Sequence, residues 1–312
     1  MRIAALDIGT NTVLLLIVER RGQTIRVLRD DHAIARLGEG VDKTRHISEA
    51  AYARFRSVLE QHVATIRDSK VDRIAAVGTS ALRDAENRDD IIRRTKADTG
   101  IEIELLSGND EARWSYVGAL FGMENVQNAT VIDIGGGSTE LSFGDGRTFA
   151  EGRSLDIGAV RLTERFFHAS PIALEEAEAA REFVRQELTH APSVKKWSGS
   201  PSGPLIAVAG TPTTLAAMHQ HLALFDAAKV QGYVLQKLAV QELLDRLLKT
   251  DTRTVLQNFP AVNKARADIL PAGTLILREA MEFLGATEVR VSAHGLRYGI
   301  ALREAPKIGT LQ

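Results

Sequence analysis

Apolar residues near the start of the chain come in short runs separated by polar turns. They predict a three-strand meander, Arg2 to Leu6, Val13 to Arg20 and Thr24 to Arg29, turning near Asn11 and Gly22. The period then changes. Between Ser48 and Arg67 the apolar side chains Tyr52, Phe55, Leu59, Val63 and Ile66 recur every three or four positions, which predicts an amphipathic helix with Ser48 as its N-cap. A strand over Asp72 to Val77, a helix over Asn87 to Thr99 stopped by Gly100, and a strand over Glu102 to Leu106 follow. Ser107 opens a further helix, with Asp110 as a capping partner. Its buried stripe is expected to be Trp114, Val117, Leu120 and Phe121, with Glu111, Ser115, Gly118 and Gly122 on another face. The polar stretch Glu124 to Asn128 predicts a boundary between domains 1–125 and 126–312. The second half repeats the alternation. Helices are predicted over Ile172 to His190, Leu238 to Leu248 and Ala272 to Leu284, and a strand over Val289 to Ser292. A Ser/Gly/Pro loop is read at Ser198 to Pro204. A last helix, His294 to Arg303, is expected to pack back on the first domain. Alternating strands and helices in both halves predict an α/β architecture.

Two glycine turns sharpen this picture. The chain reads Asp7-Ile-Gly-Thr-Asn-Thr12 near its start and Asp133-Ile-Gly-Gly-Gly-Ser-Thr-Glu140 later, each between two strand-like runs. Glycine lets bare backbone N–H groups approach a phosphate, and the leading aspartate stands where it can hold a divalent cation. A second pair follows in the same order: Gly78-Thr79-Ser80 and Gly210-Thr211-Pro212, each after a strand and before a helix. One such turn is ordinary in an α/β protein, but two pairs in register imply a duplicated half. The expected fold is therefore two duplicated domains around an interdomain cleft, with the two turns gripping a polyphosphorylated ligand.

Composition limits the partners. The 312 residues suit two domains of about 150 residues each. With 44% hydrophobic and 25% charged residues the chain reads as an ordinary globular protein. A net charge of −1 gives no electrostatic footprint for nucleic acid or membrane. With no cysteine there is no disulfide, thiolate metal site or cysteine nucleophile. No signal-peptide pattern and no apolar run of about 20 residues is visible, so a cytoplasmic protein is expected.

The motifs together resemble the exopolyphosphatase and guanosine pentaphosphate phosphohydrolase family, within the actin, sugar-kinase and Hsp70 superfamily. The stretches that carry the resemblance begin with DIGTNT at the start, GTSALRDAEN from Gly78 and LLSGNDEAR from Leu105. They continue with VIDIGGGSTEL from Val131, SLDIGAVRLTE from Ser154 and AVAGTPTTLAA from Ala207, and close with ILPAGTLIL from Ile269 and VSAHGLRYGIA from Val291. The resemblance implies actin-like (ribonuclease H-like) domains in a short two-domain member. The chain departs from the family pattern at Asp110, where glutamate is usual, at Tyr298 after the closing G-L-R, where glutamate is again usual, and at Asp156, where some members have arginine.

What the resemblance implies about chemistry falls on particular residues. The family's catalytic glutamate lands on Glu111, expected to act as general base on the attacking water. Asp133, with Glu140 and Asp7 as further acids, is expected to hold Mg²⁺ or another divalent cation. Phosphate contacts are expected from the turns Gly9, Thr10, Asn11, Thr12 and Gly135, Gly136, Gly137, Ser138, and from Arg83. Lys195, Lys196, Lys264 and Arg266 are a weaker basic set along a phosphate chain, and His294 reads as structural. The expected activity is removal of terminal orthophosphate from inorganic polyphosphate. Guanosine pentaphosphate hydrolysis, an ATP-dependent kinase, and a non-hydrolysing polyphosphate or alarmone sensor are the alternatives. Guanosine tetraphosphate as a ligand and a homodimer are expected from the resemblance alone.

Overall fold

The computed structural model describes residues 1–22, 24–123, 126–190 and 203–305. They fall into two compact units, Met1–Gly118 with the described part of Leu296–Gln312, and Ala119–Gly295. Each is described in turn.

The first unit is built on β1 (Arg2–Ile8), β2 (Thr12–Arg21), β3 (Thr24–Ile34), β4 (Arg73–Gly78) and β5 (Ile103–Leu105), in the order β3-β2-β1-β4-β5. The meander β1–β2–β3 is antiparallel, whereas β4 and β5 run parallel to β1. β1 and β2 are central and nearly continuous in apolar residues, as strands covered on both faces must be. β3 is the edge, and exposed Arg26, Arg29 and His32 keep it from pairing further. The short α1 (Val41–Thr44) follows. α2 (Glu49–Asp68) has the predicted cap, the Ser48 hydroxyl accepting the Ala51 N–H at 3.2 Å. It buries Tyr52, Phe55, Leu59 and Ile66 as the spacing predicts, and also His62, which the apolar pattern passed over. α3 (Ser80–Asp84) and α4 (Arg88–Thr99) succeed β4, and Gly100 closes α4 at φ 76°.

α5 (Gly108–Ala119) corrects one expectation. Ser107 caps it as predicted, its hydroxyl accepting the Asp110 N–H and donating to the Asp110 carboxylate. The buried face, however, is Glu111, Ala112, Ser115, Tyr116, Gly118 and Ala119, whereas Trp114 and Val117 are only partly covered. The reason is close packing. The chain's last helix, here α13 (Leu296–Glu304), belongs to this unit, and a Cβ at its Gly299 would overlap the Trp114 carbonyl. Small side chains let two helix backbones approach; bulky spacing alone could not reveal that. α13 also packs on β1 and β2. Arg297 donates to both Asp30 carboxylate oxygens on β3 (2.7 and 2.9 Å), and the Tyr298 hydroxyl donates to the same carboxylate at 2.9 Å.

The second unit repeats the plan. Its sheet contains β6 (Ala129–Ile134), β7 (Thr139–Gly144), β8 (Phe149–Leu155), β9 (Leu205–Val208), β10 (Val234–Gln236) and β11 (Glu288–Val291) in the order β10-β11-β9-β6-β7-β8. Read from β8, this is the first sheet's order with β10 added antiparallel at the far edge. The helices are α6 (Ala159–Phe166), α7 (Leu174–Thr189), α8 (Gly210–His219), α9 (Ala227–Val230), α10 (Lys237–Lys249), α11 (Thr252–Asn258) and α12 (Leu270–Phe283). α12 is almost wholly buried and packs against α6, α7, α8, α10 and β6. The predicted helices at 172–190, 238–248 and 272–284 are α7, α10 and α12. Most of the expected loop at 198–204, and Lys195 and Lys196, lie outside the described residues. No helix among the described residues is long and apolar enough to cross a membrane.

Strand register tests the duplication directly. Asp7 pairs with Leu14 across β1–β2, and Asp133 pairs with Glu140 across β6–β7. Both turns are closed by the same bond, Gly9 N–H to the Thr12 carbonyl and Gly135 N–H to the Ser138 carbonyl, each 3.0 Å. The second repeat is shifted by one residue from the expectation. Asp7 pairs with Val77 and Asp133 with Val208, so Gly78 corresponds to Ala209, not Gly210.

Candidate active site

In α/β sheets ligands bind at the carboxyl ends of parallel strands, where the chain turns into helices. In the first unit those ends belong to β1, β4 and β5, and they carry the first glycine turn, Arg83 and Glu111. The turn Gly9–Thr12 leaves β1; α3 with Arg83 leaves β4; α5 with Glu111 leaves β5. Thr79, entering α3, donates its N–H to the Ile8 carbonyl at 3.2 Å and so ties α3 to the turn. Arg83 donates to the Leu106 carbonyl at 3.3 Å and forms an ion pair with Glu111. Glu111 is only 7% exposed. Arg83 and Glu111 therefore meet directly. The Asn11 side chain is equally buried, and its Nδ2 has no hydrogen-bond partner among the described residues. A buried, unpaired donor inside a turn is costly unless a ligand satisfies it.

In the second unit the ends of β6 and β9 carry the turn Gly135–Ser138 and the start of α8. Asp133 and Glu140 face each other across β6–β7, both buried, and Glu140 accepts the Ser154 hydroxyl at 2.7 Å. Asp7 in the first unit faces Leu14 instead, so only the second hairpin offers two carboxylates at matched positions. Arg266 lies against Gly210 at the start of α8, where a Cβ would overlap its guanidinium, and Lys264 is exposed. His294 meets the Phe121 carbonyl at its Nδ1 (2.9 Å), and its ring lies tilted at 59° to the Phe121 ring with centroids 5.6 Å apart. Of the departures from the family pattern, Tyr298 has become a partner of Asp30 and Asp156 is exposed.

The orientation of the turns is the chemically important feature. In the first, the Thr10 carbonyl accepts from Gly38 N–H (2.8 Å), and the Asn11 carbonyl accepts from Ala35 (3.0 Å) and Arg36 (2.9 Å). In the second, the Gly135 carbonyl accepts from Ala159 N–H (2.9 Å), and the Gly136 carbonyl accepts from Val160 (2.8 Å) and Arg161 (3.1 Å). In a trans peptide C=O and N–H point opposite ways, so the tied Thr10, Gly135 and Gly136 carbonyls aim the N–H groups of Asn11, Gly136 and Gly137 away from the tie. The N–H groups of Thr10, Asn11, Gly136, Gly137 and Ser138 donate to no described residue. Successive outward amides form an anion-binding nest.

Residues 16–308 match the Ppx/GppA phosphatase family. The chain belongs to that family. It is 34% identical to Exopolyphosphatase 2 of Mycobacterium tuberculosis over 96% of this chain and 98% of that protein. It is similar to the solved Aquifex aeolicus Ppx/GppA family member, with 31% identity and a TM-score of 0.81 over 98% and 99% of the two chains. An exopolyphosphatase from Cytophaga hutchinsonii superposes with a TM-score of 0.89 at 25% identity, over 97% of each chain. As a Ppx/GppA member the protein is a hydrolase of phosphoanhydride bonds, and its two mixed sheets are the actin-like fold of that family.

Sequence reasoning missed Gly38, Gly158, Arg161 and Ala209. The segments after β3 and β8 both place a buried apolar residue before a glycine, Leu37-Gly38 and Ile157-Gly158. A Cβ on Gly38 would overlap Thr10, and one on Gly158 would overlap Gly136. This is a third duplicated element. Arg161 left one signal in the sequence, a cation in the first turn of a helix, where the macrodipole disfavours it.

Proposed function

We propose that this chain is an exopolyphosphatase that releases terminal orthophosphate from linear inorganic polyphosphate, with Glu111 as general base. The observation that carries this reading is that the N–H groups of Thr10 and Asn11 in the first turn, and of Gly136, Gly137 and Ser138 in the second, donate to no described residue. Glu111 takes a proton from water as the water oxygen attacks the terminal phosphorus; the P–O anhydride bond breaks and the shortened chain leaves. Arg83 releases Glu111 and takes phosphoryl oxygens bidentately. Within each unit the turn amides would take phosphoryl oxygens, with the Asn11 Nδ2 and the Thr10 and Thr12 hydroxyls as further donors in the first and the Ser138 hydroxyl in the second.

Asp133 and Glu140 would hold Mg²⁺, which neutralises phosphoryl charge when bound. Among the described residues no group of three His, Asp or Glu has metal-binding geometry, but Mg²⁺ commonly uses one or two carboxylates with water and substrate phosphate. The paired carboxylates fit that habit; Asp7, opposite Leu14, is a lone acid beside the first turn. A homodimer belongs to the same reading on the family resemblance alone.

The test is orthophosphate release from short and long polyphosphates, guanosine pentaphosphate and ATP, with and without Mg²⁺. Polyphosphate hydrolysis that chelation abolishes and Mg²⁺ restores is expected, with Glu111→Gln slower by about 10²–10⁴-fold. Full activity in that variant would remove Glu111 from the mechanism. Turnover confined to guanosine pentaphosphate would move the substrate to the alternative, and tight binding without hydrolysis would make the protein a sensor.

A further inference from the structure

The second nest is held by a side chain as well as by backbone amides. Three peptide planes, Gly135–Gly136, Gly136–Gly137 and Gly137–Ser138, each present a carbonyl to α6. Backbone amides of Ala159, Val160 and Arg161 fix the first two. The third is fixed by a side chain: Arg161 Nε donates to the Gly137 carbonyl at 2.7 Å. Arg161 is only 6% exposed. The Thr139 hydroxyl donates to the Ile157 carbonyl at 2.6 Å, and Gly158 leaves no space between α6 and the turn. The N-terminal amides of α6 are thus spent on the turn and are not offered to a ligand.

Because C=O and N–H of one peptide oppose each other, the bond to the Gly137 carbonyl sets the direction of the Ser138 N–H. Glycine on the carbonyl side makes that plane easy to rotate when nothing restrains it. We propose that Arg161 is a positioning residue for anion capture, aiming the Ser138 amide at a phosphoryl oxygen. This deepens the reading under Proposed function and rests on it for the identity of the anion. Burial suits the task, since a hydrogen bond from a charged donor is stronger where water does not compete for the carbonyl.

The test compares Arg161→Gln with Arg161→Met. Glutamine places its Nε2 donor where arginine has Nε; methionine places a methyl group there. Both are uncharged and similar in length, so a folding cost would be shared. The measurements are kcat and KM on polyphosphate, and the Ser138 amide NMR shift during pyrophosphate titration. Arg161→Met is expected to raise KM about tenfold with kcat little changed and to abolish the Ser138 response, whereas Arg161→Gln stays within about threefold of the parent. Equal behaviour of the two variants, or a Ser138 amide in the parent protein that ignores pyrophosphate, would overturn the proposal. The titration needs no turnover. A parent protein that fails to hydrolyse polyphosphate but shows the Ser138 response would defeat the exopolyphosphatase reading and leave the clamp standing.

Discussion

Ala209 sits at φ 76° and ψ −166°, between the end of β9 and the start of α8. That region is essentially reserved for glycine, because a Cβ there crowds its own backbone, and a residue held in it costs about 1–3 kcal/mol. The surroundings enforce it. β9 is locked in parallel register between β6 and β11, and the Ala209 carbonyl accepts the Thr213 hydroxyl of α8 at 2.9 Å. Ala209→Gly removes the strain and loses about 0.4–1 kcal/mol through the freer unfolded chain. At the midpoints of those ranges the net gain is about 1.3 kcal/mol. For a unit of this size each kcal/mol moves the melting temperature by about 2–4 °C. Urea unfolding should show a higher midpoint at unchanged slope, the mark of a stability change rather than a change in compactness. Ala209→Val should move the midpoint the other way. A glycine variant no more stable than the parent would show that the strained conformation is absent, and with it the account of how β9 enters α8.

Other expectations follow from neighbouring features. On the proposed mechanism, in which Glu111 and Asp133 both serve the hydrolytic step, Glu111→Gln combined with Asp133→Asn should lose no more rate than the worse single variant; multiplicative losses in steady-state kinetics would separate them. His62 is buried beneath β2, and burial pushes its imidazole below the ordinary value against a hydrogen bond to the Val13 backbone and the nearby Asp31. The folded value is the lower one, so the unfolded chain protonates first, and stability is whole above about pH 6.5 and falls as pH drops below it. His62→Leu should flatten that slope in urea titrations at several pH values; an unchanged slope would clear His62. Asp30 is held well below the usual carboxylate range: burial alone would raise it, but bonds from His32 and Arg297 outweigh that. Its contribution is present above about pH 4 and lost below. Asp30→Asn should cost about 3 kcal/mol at neutral pH by leaving the Arg297 charge uncompensated, and a loss under about 1 kcal/mol would show the pair to be incidental.

How much of this was legible in the sequence depends on which atoms do the work. The turns at Asp7 and Asp133 could be read because the same spacing occurs twice in one chain, and the strand register bears that out. Ser48 and Ser107 could be read because a cap is a side-chain signature. The carbonyl ties from Ala35, Gly38, Ala159 and Val160 use backbone atoms alone, which any residue supplies, so no letter announces them. The buried face of α5 was misread because small residues pack a helix as firmly as large ones when a glycine stands opposite. The shift from Gly210 to Ala209 was hidden because the position that pattern reading assigns to glycine is filled by an alanine.

The chain leaves its first unit at Gly118 and returns at Leu296. A ribosome therefore delivers β1 to β5 long before it delivers α13, the helix that supplies Arg297 to Asp30 and lays Gly299 on α5. During synthesis the inserted middle segment has its whole hydrophobic interior in hand first, and the earlier-made part must wait, without its last helix, for a contribution encoded more than 170 codons downstream.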